Sequence, residues 1–584
     1  MRAVRGRSTP SLSLWTRYTT SSPPTPTAAA YCVAHRQLST SQTRAQAHEP
    51  PERTVAIIGG GLSGLASAYY IVKGLPRSSR QRTRIVVYEK TGRVGGWCHT
   101  VNMDAEAQVV FETGPRSIRP SGAAGWLTID MAHDIGLAPR ILTVPKTAPS
   151  ARNRYLLTDK GLSAMPSSVL SAIASPVTTP LVRSVLPGIF KEPFQPRSML
   201  HDRPDGGDES VDAFFKRRFG KKLADSMISA MIHGIYAGDS RRLSVKTLFP
   251  GLWEAERQSG SVIRHALRSR KSKVRHGGAY AQRMTEEKQL ATALQQKLLR
   301  GGDGGAELVA RMHKASVWGV QGGLGQLIQQ LKTWLVTEGV EIRTGQAPAL
   351  VAGNRQWVLE ATDGTLSPSH VIATTPAALP MCFRPRAIPS TTVSVVNLAF
   401  QNPSPATQRL FPPGFGYLVP RTIPVELNPH RALGILFDSD VMPNVDQSSD
   451  QGLVKCSVLM GGSYWLDDGP PNADTLSHDR LVQAALETIR LHFPETMFPE
   501  PALTLTNTHY DCIPQVPPGY DEHVFDLETR LRDAQNGRDG VKLAVVGCGL
   551  ANVGINGAVK HAYEVGTSFA NDLEGTGQPL RLEE

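Results

Sequence analysis

The stretch TVAIIGGGLSGLASAYYIVKGL, residues 54–75, decides the fold of this chain. A run of β-branched and small apolar residues leads into three glycines, and apolar residues then follow at helical spacing as far as Gly74 and Pro76. TRIVVYEK at 83–90 has the pattern of a second buried strand. The order of strand, glycine turn, helix and strand predicts a βαβ unit, in which residues 76–84 form an extended loop.

The glycines of this turn predict a binding site for a dinucleotide. Gly59, Gly61 and Gly64 have GxGxxG spacing, directly after a strand and at the start of a helix. The first permits a tight turn, the second lets the backbone approach a pyrophosphate, and the third lets helix pack on strand. Glu89 ends the second strand, where its carboxylate can accept hydrogen bonds from ribose hydroxyls. An ordinary glycine turn is the alternative.

A second glycine cluster indicates which dinucleotide is bound. KTGRVGGWCHT at 90–100 follows Glu89 at once. A nicotinamide dinucleotide does not need such a cluster, whereas FAD lies extended and uses backbone amides beyond the ribose site, so FAD is the predicted cofactor. The pattern EKTGRVGG resembles the flavin amine oxidase superfamily. GCGLANVGINGAVKHAYEVG at 547–566 fits this resemblance, because its strand-to-helix turn would aim a helix N-terminus at the flavin. A terminal packing helix is the alternative.

Charge and composition exclude several classes of protein. The chain has 584 residues, 40% hydrophobic and 20% charged, and no apolar run long enough to cross a bilayer. The formal charge of +12 is local: residues 1–48 hold six arginines and no acidic residue, and residues 264–314 hold twelve basic and four acidic residues. The remainder carries a formal charge of −2. A nucleic-acid binder should carry basic residues across its fold, so nucleic acid is not an expected partner.

The N-terminal residues and the cysteines bear on the cellular compartment and on metals. Residues 1–48 have the composition of a mitochondrial transit peptide, with a disordered basic tail as the alternative. The six cysteines are spread singly, without CxxC pairs. Neither a metal site nor a disulfide framework is therefore predicted.

Further motifs resemble one family within the superfamily. The chain resembles the protoporphyrinogen oxidases over about residues 54–570, and the matching motifs occur in the same order as in that family. They are FETGPRSIRP (111–120), RNRYLL (152–157), HGIYAGDSRRLSVKTLFPGLWEAE (233–256), GFGYLVP (414–420), LGILFDS (433–439), LMGGSYW (459–465) and CIPQ (512–515). The fold class implied is α/β (α+β): a Rossmann-like FAD-binding domain of the p-hydroxybenzoate hydroxylase type, an interleaved substrate-binding domain with a mixed sheet, and a helical membrane-binding domain.

The resemblance, with the residue patterns, divides the chain into seven segments. They are the transit peptide or disordered tail (1–48), a first FAD-binding segment (54–135), a substrate and membrane-binding helical domain (136–263), a basic insertion (264–314), a second FAD-binding segment (315–380), a substrate-binding sheet domain (381–505) and a C-terminal FAD-binding segment (506–584). The insertion is expected to be largely exposed or mobile, and helical only at 284–300.

The resemblance implies an activity and partners. The activity would be oxygen-dependent oxidation of protoporphyrinogen IX to protoporphyrin IX, the penultimate step of haem biosynthesis, with FAD reduced three times and hydrogen peroxide released. The protein would lie on the inner mitochondrial membrane, where residues 160–200 supply apolar clusters beside Arg183, Lys191 and Arg197. A buried domain core is the alternative for that segment. Contact with ferrochelatase and a homodimer are further expectations.

The resemblance also implies site residues. Arg154 would pair with a substrate propionate, Phe415, Leu418, Leu436 and Leu459 would form apolar walls, and Gly234 would leave room for the tetrapyrrole. A surface arginine and ordinary core residues are the alternatives. Arg116 would supply positive charge beside reduced flavin, and Arg119 is assigned to solvent or a structural salt bridge. The predicted FAD-binding residues are Gly59, Gly60, Gly61, Leu62, Ser63, Gly64, Glu89, Lys90, Arg93, Gly96, Trp97, Gly114, Pro115, Arg116, Ser117, Pro348, Gly547, Asn552, Val553 and Gly554.

Two other functions stay open from the sequence alone. One is a different FAD-dependent amine oxidase or desaturase; an amine oxidase would commonly show a paired aromatic cage near the C-terminus, and TLTNTHYDCIPQ and GCGLANVG contain no such pair. The other is a non-catalytic FAD-containing scaffold in haem assembly, which would bind FAD without turnover.

Overall fold

The computed structural model describes residues 53–575, apart from 105–108, 166–179, 205, 272–278, 353–356, 363, 385, 402–408, 447–451, 470, 538–540 and 548–552. The predicted transit peptide and Asn552 lie outside the described residues. The described residues belong to one compact unit.

The described strands number nineteen in chain order. They are β1 (Arg53–Ile58), β2 (Thr83–Glu89), β3 (Thr100–Asp104), β4 (Val109–Glu112), β5 (Ile141–Pro145), β6 (Tyr155–Thr158), β7 (Gly161–Ala164), β8 (Ala315–Val320), β9 (Glu341–Thr344), β10 (Ala349–Ala352), β11 (Trp357–Ala361), β12 (Gly364–Leu366), β13 (His370–Ala373), β14 (Ser390–Gln401), β15 (Gly416–Leu418), β16 (Ala432–Leu436), β17 (Leu453–Gly461), β18 (Pro501–Pro514) and β19 (Lys542–Val545).

The described α-helices lie mainly between and around these strands. They are α1 (Leu62–Gly74), α2 (Arg77–Gln81), α3 (Gly122–Asp134), α4 (Pro149–Arg152), α5 (Pro180–Lys191), α6 (Val211–Phe219), α7 (Lys221–Leu223), α8 (Ser229–Tyr236), α9 (Val245–Leu248), α10 (Pro250–Ser259), α11 (Val262–Lys271), α12 (Ala279–Arg300), α13 (Gly305–Lys314), α14 (Gly325–Thr337), α15 (Asp438–Val441), α16 (Tyr464–Asp468), α17 (His478–His492), α18 (Tyr520–Gly537) and α19 (Ile555–Glu574). A π-helical turn, Ala224–Ile228, joins α7 to α8.

A parallel five-stranded sheet confirms the predicted βαβ unit. Its strand order is β19-β13-β1-β2-β9, so strands from three distant parts of the chain lie side by side. Val55 pairs with Ile85 on one side and with His370 on the other. The central strands are apolar and buried on both faces, as parallel strands between helical layers are. This sheet places the glycine turn after β1 at its carboxyl edge.

Two expectations for the regions around this sheet are wrong. Residues 76–84 are not an extended loop, because α2 forms within them. The segment 264–314 is not helical only at 284–300, since α11, α12 and α13 cover most of its described residues. Most of these residues are exposed, as the sequence predicts. Leu294 and Leu298 are buried in the same core as α1 and α3, and Lys297 Nζ lies 2.9 Å from Asp130 Oδ2. Apolar residues at helical spacing pack inward while most basic residues face outward. The high net charge of the segment therefore gave no indication of its additional helices.

A mixed seven-stranded sheet forms the second part of the fold. Its order is β18-β14-β17-β16-β15-β6-β7, in which only β6 and β15 pair in parallel. Helix α17 contributes Leu481, Ala485 and Ile489 to the core on one face of this sheet. The opposite face turns toward the residues that follow β4, and it is the face that bears on function.

The observed sheets cross two of the predicted domain boundaries. Strands β6 and β7 belong to the seven-stranded sheet although they lie within 136–263. Strand β18 runs through the predicted boundary at 505 without a break, because it continues to pair with β14 as far as Pro514. A two-stranded ribbon of β5 and β8 also joins the segments 136–263 and 315–380.

A helical region covers most of the described residues from 180 to 271. Its core contains Val211, Phe214 and Trp253, and Arg218 is buried in an ion pair with Glu192. Within the described ranges, no helix combines the length and the apolar character that crossing a bilayer requires.

Candidate functional site

The glycine turn after β1 has the geometry expected for a pyrophosphate site. Gly59 has a φ of +111°, and a side chain at Gly64 would overlap the carbonyl of Gly59, so both positions require glycine. At Gly61 the nearest atom to an added Cβ would be the Cα of Gly96, 3.9 Å away. Space is therefore open in front of the first turn of α1, whose N–H groups have no partner within the helix.

Glu89 connects the two predicted glycine motifs. Its Oε2 accepts a hydrogen bond from the backbone N–H of Gly60 at 2.9 Å. Its Oε1 accepts from the backbone N–H and from the hydroxyl of Thr91, each at 2.8 Å. The carboxylate is buried at the end of β2, where the remaining lone pairs can accept from ribose hydroxyls.

The second glycine cluster packs directly on the first. The N–H of Gly95 donates to the carbonyl of Gly60 at 2.8 Å, and Arg93 Nη2 donates to the carbonyl of Gly96 at 3.1 Å. Trp97 is 42% exposed, with its ring edge-on to His509. The predicted residues of both motifs are thus adjacent, although Lys90 points to solvent and Leu62 is buried in the core.

Arg116 forms an ion pair and hydrogen bonds that the sequence did not predict. Its Nε lies 2.8 Å from Asp438 Oδ1, and its Nη2 donates to Ser457 Oγ at 2.8 Å and to Asn397 Oδ1 at 3.1 Å. An adjacent carboxylate therefore compensates its charge, and a role of Arg116 beside reduced flavin stays a prediction. Asp438 is more than 300 residues away in sequence, and only the fold brings it here.

The remaining predicted FAD-binding residues lie at the turns around these motifs. The chain bends after β4, where Gly114 packs against the carbonyl of Trp97. A side chain at Gly547 would lie 2.8 Å from the carbonyl of Thr374, and Gly554 begins α19 with a φ of +103°. Ser63, Pro115 and Val553 are half-buried, Pro348 is buried and Ser117 lines the cavity described below.

One face of the seven-stranded sheet carries the three predicted leucines. Residues paired directly across strands point to the same face, and Gly434 pairs with both Leu418 and Leu459. Leu436 lies two residues further along the strand of Gly434, so it points the same way. All three leucines are only half-buried, which leaves an apolar surface uncovered.

The same face meets the residues that follow β4. Ser457 pairs with both Asn397 and Leu436, so the two polar side chains that contact Arg116 lie beside the leucines. A side chain at Gly234 would lie 2.5 Å from Leu418 Cδ2. The space at Gly234 is therefore filled by Leu418, and this glycine determines where that leucine lies rather than leaving open volume.

A cavity of about 210 Å³ opens at one end of this face. Arg154 and Phe415 line it together, with the guanidinium 5.8 Å from the ring centroid in a cation–π contact. Arg119 lines the same cavity and is exposed, which agrees with its assignment to solvent. The other lining residues are Ser117, Val144, Ser150, Ala151, Ser316, Val317 and Val441.

Comparison with known proteins shows the family. The sequence pattern described as flavin containing amine oxidoreductase matches residues 62–568. Protoporphyrinogen oxidase from Homo sapiens is 30% identical over 533 residues, covering 88% of this chain and 98% of its own length. The chain belongs to the flavin-containing amine oxidoreductases, in their protoporphyrinogen oxidase branch. Protoporphyrinogen oxidase from Schizosaccharomyces pombe is 29% identical over 496 residues, covering 83% of this chain and 93% of its own length.

Solved structures support the fold of this oxidase. A crystal structure of a protein from Exiguobacterium sp. 255-15 superposes with a TM-score of 0.63, at 19% sequence identity, over 90% of this chain and 100% of its own. FAD is the cofactor of this oxidase. The open space at Gly61, the Glu89 carboxylate and the unpaired first turn of α1 fit its pyrophosphate and ribose.

Sequence reasoning missed several polar residues of this flavoprotein's site. Asp438, Asn397 and Ser457 contact Arg116 from three different strands or helices, and nothing in the sequence indicates that these three residues meet it. Glu112 is buried at the end of β4, where it accepts hydrogen bonds from the backbone N–H of Leu324 and from the hydroxyl of Thr100. Glu112 could have been identified from the sequence as an acidic residue at the end of an otherwise apolar strand.

Two groups in this site have shifted pKa values. Burial raises the pKa of Glu112 to about 7, against the lowering effect of its two hydrogen bonds and of Arg116. Desolvation in the cavity, followed by the charge of Arg119, lowers the pKa of Arg154. In the described part of the chain, no group of three or more acidic, histidine or cysteine side chains could hold a metal ion.

Proposed function

We propose that this oxidase converts protoporphyrinogen IX to protoporphyrin IX in haem biosynthesis, with O2 as the electron acceptor and hydrogen peroxide as a product. The single observation that carries the proposal is the half-buried leucine face of the seven-stranded sheet, bounded by the FAD motif at one side and by the Arg154 cavity at one end. A flat apolar ring with acidic side chains matches a surface of this kind.

Bound FAD supplies the two-electron acceptor for removal of hydrogen from the substrate. The side chains of this chain then orient the ring and exclude water. Leu418, Leu436 and Leu459 present an apolar surface to one face of a macrocycle, which favours burial of that face by the hydrophobic effect. Arg116 and Asp438 form a paired, largely buried boundary, so this wall presents no uncompensated charge to the ring.

Arg154 is the residue that we assign to a substrate propionate. In the described structure, its side chain has a cation–π contact with Phe415 and no hydrogen bond or ion pair. A guanidinium binds a carboxylate through two parallel hydrogen bonds, which gives both affinity and direction. Its position at the end of the leucine face would fix the rotation of the ring in its plane.

Turnover by the purified holoprotein tests this function. Protoporphyrinogen IX is supplied under air, and porphyrin fluorescence and hydrogen peroxide are followed together. We expect both to rise only with enzyme, and bound FAD without either signal would reject the proposal and favour the scaffold alternative. Arg154→Ala should raise KM about tenfold or more with FAD content unchanged. Arg152→Ala is the matched control, because Arg152 is exposed nearby and does not line the cavity.

We further propose that the helical region binds the inner mitochondrial membrane after residues 1–48 direct import. Phe190, Phe194 and Met199 are 61%, 85% and 80% exposed within ten residues of one another, an unusual density of uncovered apolar side chains. Lys191 lies among them. Such a surface fits an interfacial contact with anionic lipid. Contact with ferrochelatase and a homodimer stay predictions.

Flotation with vesicles that contain cardiolipin tests the membrane contact. Phe190→Ser with Phe194→Ser should abolish co-flotation of the protein, whereas Met497→Ser should not, although Met497 is also 89% exposed. Equal flotation of both variants would contradict the assignment of this surface.

A further inference from the structure

Two arginines line one cavity in which there is no acidic side chain to pair with them. Arg119 and Arg154 both line the cavity of about 210 Å³, and no acidic residue lines it. The charge of Arg119 contributes to lowering the pKa of Arg154, so the two guanidinium groups lie close enough to repel each other. Among the described residues, neither side chain has a hydrogen bond or an ion pair with another side chain.

Three less exposed arginines of this protein have carboxylate partners, whereas Arg119 and Arg154 are exposed and have none among the described residues. Arg116 is paired with Asp438, Arg218 with Glu192, and Arg421 with two aspartates. Two like charges held together cost free energy that a bound anion would remove. The cavity therefore presents two cations that one anionic ligand could neutralise together.

The lining of the cavity offers further hydrogen-bond donors. Ser117, Ser150 and Ser316 contribute hydroxyls, and none of the three has a side-chain hydrogen bond to another described residue. A hydroxyl can donate to a carboxylate oxygen that a guanidinium does not reach. The cavity therefore combines two cations with three neutral donors, a composition suited to more than one carboxylate.

The size of the cavity restricts which part of a ligand it can hold. Sites that enclose a whole small molecule typically measure about 300–1,000 Å³. The observed 210 Å³ is smaller, and it lies at the end of the leucine face rather than along it. It can hold the acidic side chains of a tetrapyrrole while the ring itself rests on the leucines.

The backbone of Arg119 is held firmly while its side chain stays free. Its neighbour Ile118 exchanges two backbone hydrogen bonds with Trp318, each of 2.8 Å, and the carbonyl of Arg119 accepts from Asn556 Nδ2 at 2.8 Å. Trp318 and Ile118 are buried. The fold thus positions Arg119 at the cavity without using its guanidinium for structure.

We propose that Arg119 binds a second carboxylate of the substrate, beside the carboxylate bound by Arg154, so that the site selects cyclic tetrapyrroles with two acidic side chains on neighbouring pyrroles. This inference rests on the proposed function, because that function supplies the tetrapyrrole. Arg119 becomes a specificity-determining residue for the same reaction.

Equilibrium binding of two porphyrins to the holoprotein tests the inference. Protoporphyrin IX carries two free carboxylates and its dimethyl ester carries none, and quenching of the protein's tryptophan fluorescence reports the binding of each. We expect wild type to prefer the acid. Arg119→Gln should weaken acid binding about ten- to a hundredfold and leave ester binding unchanged, as loss of a charge-assisted pair predicts. The double variant with Arg154→Gln should bind acid and ester alike.

The controls separate this inference from the proposed function. Arg152→Gln should bind the acid as wild type does, and FAD content should match wild type in every variant. If Arg119→Gln binds the acid as tightly as wild type, or weakens acid and ester equally, the inference is overturned. A wild-type preference for the acid that is reduced in Arg119→Gln supports it even if protoporphyrinogen IX is not oxidised, an outcome that rejects the proposed function alone.

Discussion

Arg116 Nε lies 2.8 Å from Asp438 Oδ1, in an ion pair whose side chains are 10% and 15% exposed. The pair joins the residues after β4 to the start of α15, and thereby joins the FAD motif to the seven-stranded sheet. Arg116 Nη2 also donates to Ser457 Oγ and Asn397 Oδ1, and the Ser457 hydroxyl lies within hydrogen-bond distance of Asn397 Oδ1. A network of this kind fixes the distance between the two parts of the site.

Removal of the acidic partner should be costly. Asp438→Asn keeps the shape of the side chain but leaves Arg116 as an uncompensated, largely buried cation, so we expect the free energy of unfolding to fall by about 3 kcal/mol. Urea denaturation of the holoprotein measures this. Asp526→Asn is the control, because the exposed pair of Asp526 and Arg530 should contribute less than about 1 kcal/mol. Equal losses in the two variants would contradict the role of burial.

Gly61→Ala should separate FAD binding from folding. An added methyl group at Gly61 meets nothing closer than 3.9 Å within the protein, so the apoprotein should unfold at the wild-type urea concentration. The methyl group would occupy the space for the pyrophosphate, and FAD affinity should fall about ten- to a hundredfold. The ratio of flavin to protein absorbance after dialysis measures it.

Substitutions at two nearby glycines give the comparisons for Gly61→Ala. Gly92→Ala is the matched control, since nothing lies within 4 Å of its added methyl group and FAD retention should stay at the wild-type level. Gly64→Ala should instead impair folding, because its methyl group would overlap the carbonyl of Gly59. Full FAD retention by Gly61→Ala would show that the pyrophosphate lies elsewhere.

Gly234→Ala should act on the substrate through Leu418. Its methyl group would lie 2.5 Å from Leu418 Cδ2 and push that side chain over the leucine face. We expect kcat/KM to fall about tenfold, mainly through KM, with FAD content unchanged. Adding Leu418→Ala should restore part of the loss, because the smaller side chain removes the overlap. A double variant with a lower kcat/KM than either single variant would contradict an effect of Gly234 through Leu418.

Glu112 should make stability depend on pH. Its pKa is raised to about 7 in the folded protein, above its ordinary value of 4.5. Between these values the folded protein binds a proton that the unfolded chain has lost, so the stabilisation is present at low pH and is lost as pH rises through 7. The free energy of unfolding of Glu112→Gln should therefore be up to about 3 kcal/mol higher than that of wild type at pH 8, with little difference near pH 4.5.

Urea denaturation at several pH values checks this prediction. The glutamine amide can accept from the Leu324 N–H and donate to the Thr100 hydroxyl, so the substitution preserves both contacts. Glu360→Gln, at an exposed strand position, should show the same stability as wild type throughout. A constant difference between Glu112→Gln and wild type across this pH range would rule out titration of Glu112.

Short-range patterns determined the FAD-binding part of this protein. A pyrophosphate is held by backbone N–H groups and a helix start, so the residues that bind it must be consecutive, and Gly59, Gly61 and Gly64 are visible as a motif. Glu89 could be predicted for the same reason, because it ends the adjacent strand. The strand, helix and strand of residues 53–89 appear within a residue or two of their predicted places.

Tertiary structure alone decided which charges are compensated. Arg116 and Arg119 are three residues apart and look alike in the sequence, but Asp438 approaches the first and the Arg154 cavity receives the second. Beyond the helix predicted at 284–300, the helical residues of 264–314 were missed because some of their apolar side chains pack on a core formed by distant segments, whereas their net charge is visible locally. The sequence by itself determined the cofactor site, where the ligand is held by consecutive backbone groups. Only the folded chain determined which charged groups near the leucine face are paired, because electrostatic pairing depends on distance in space.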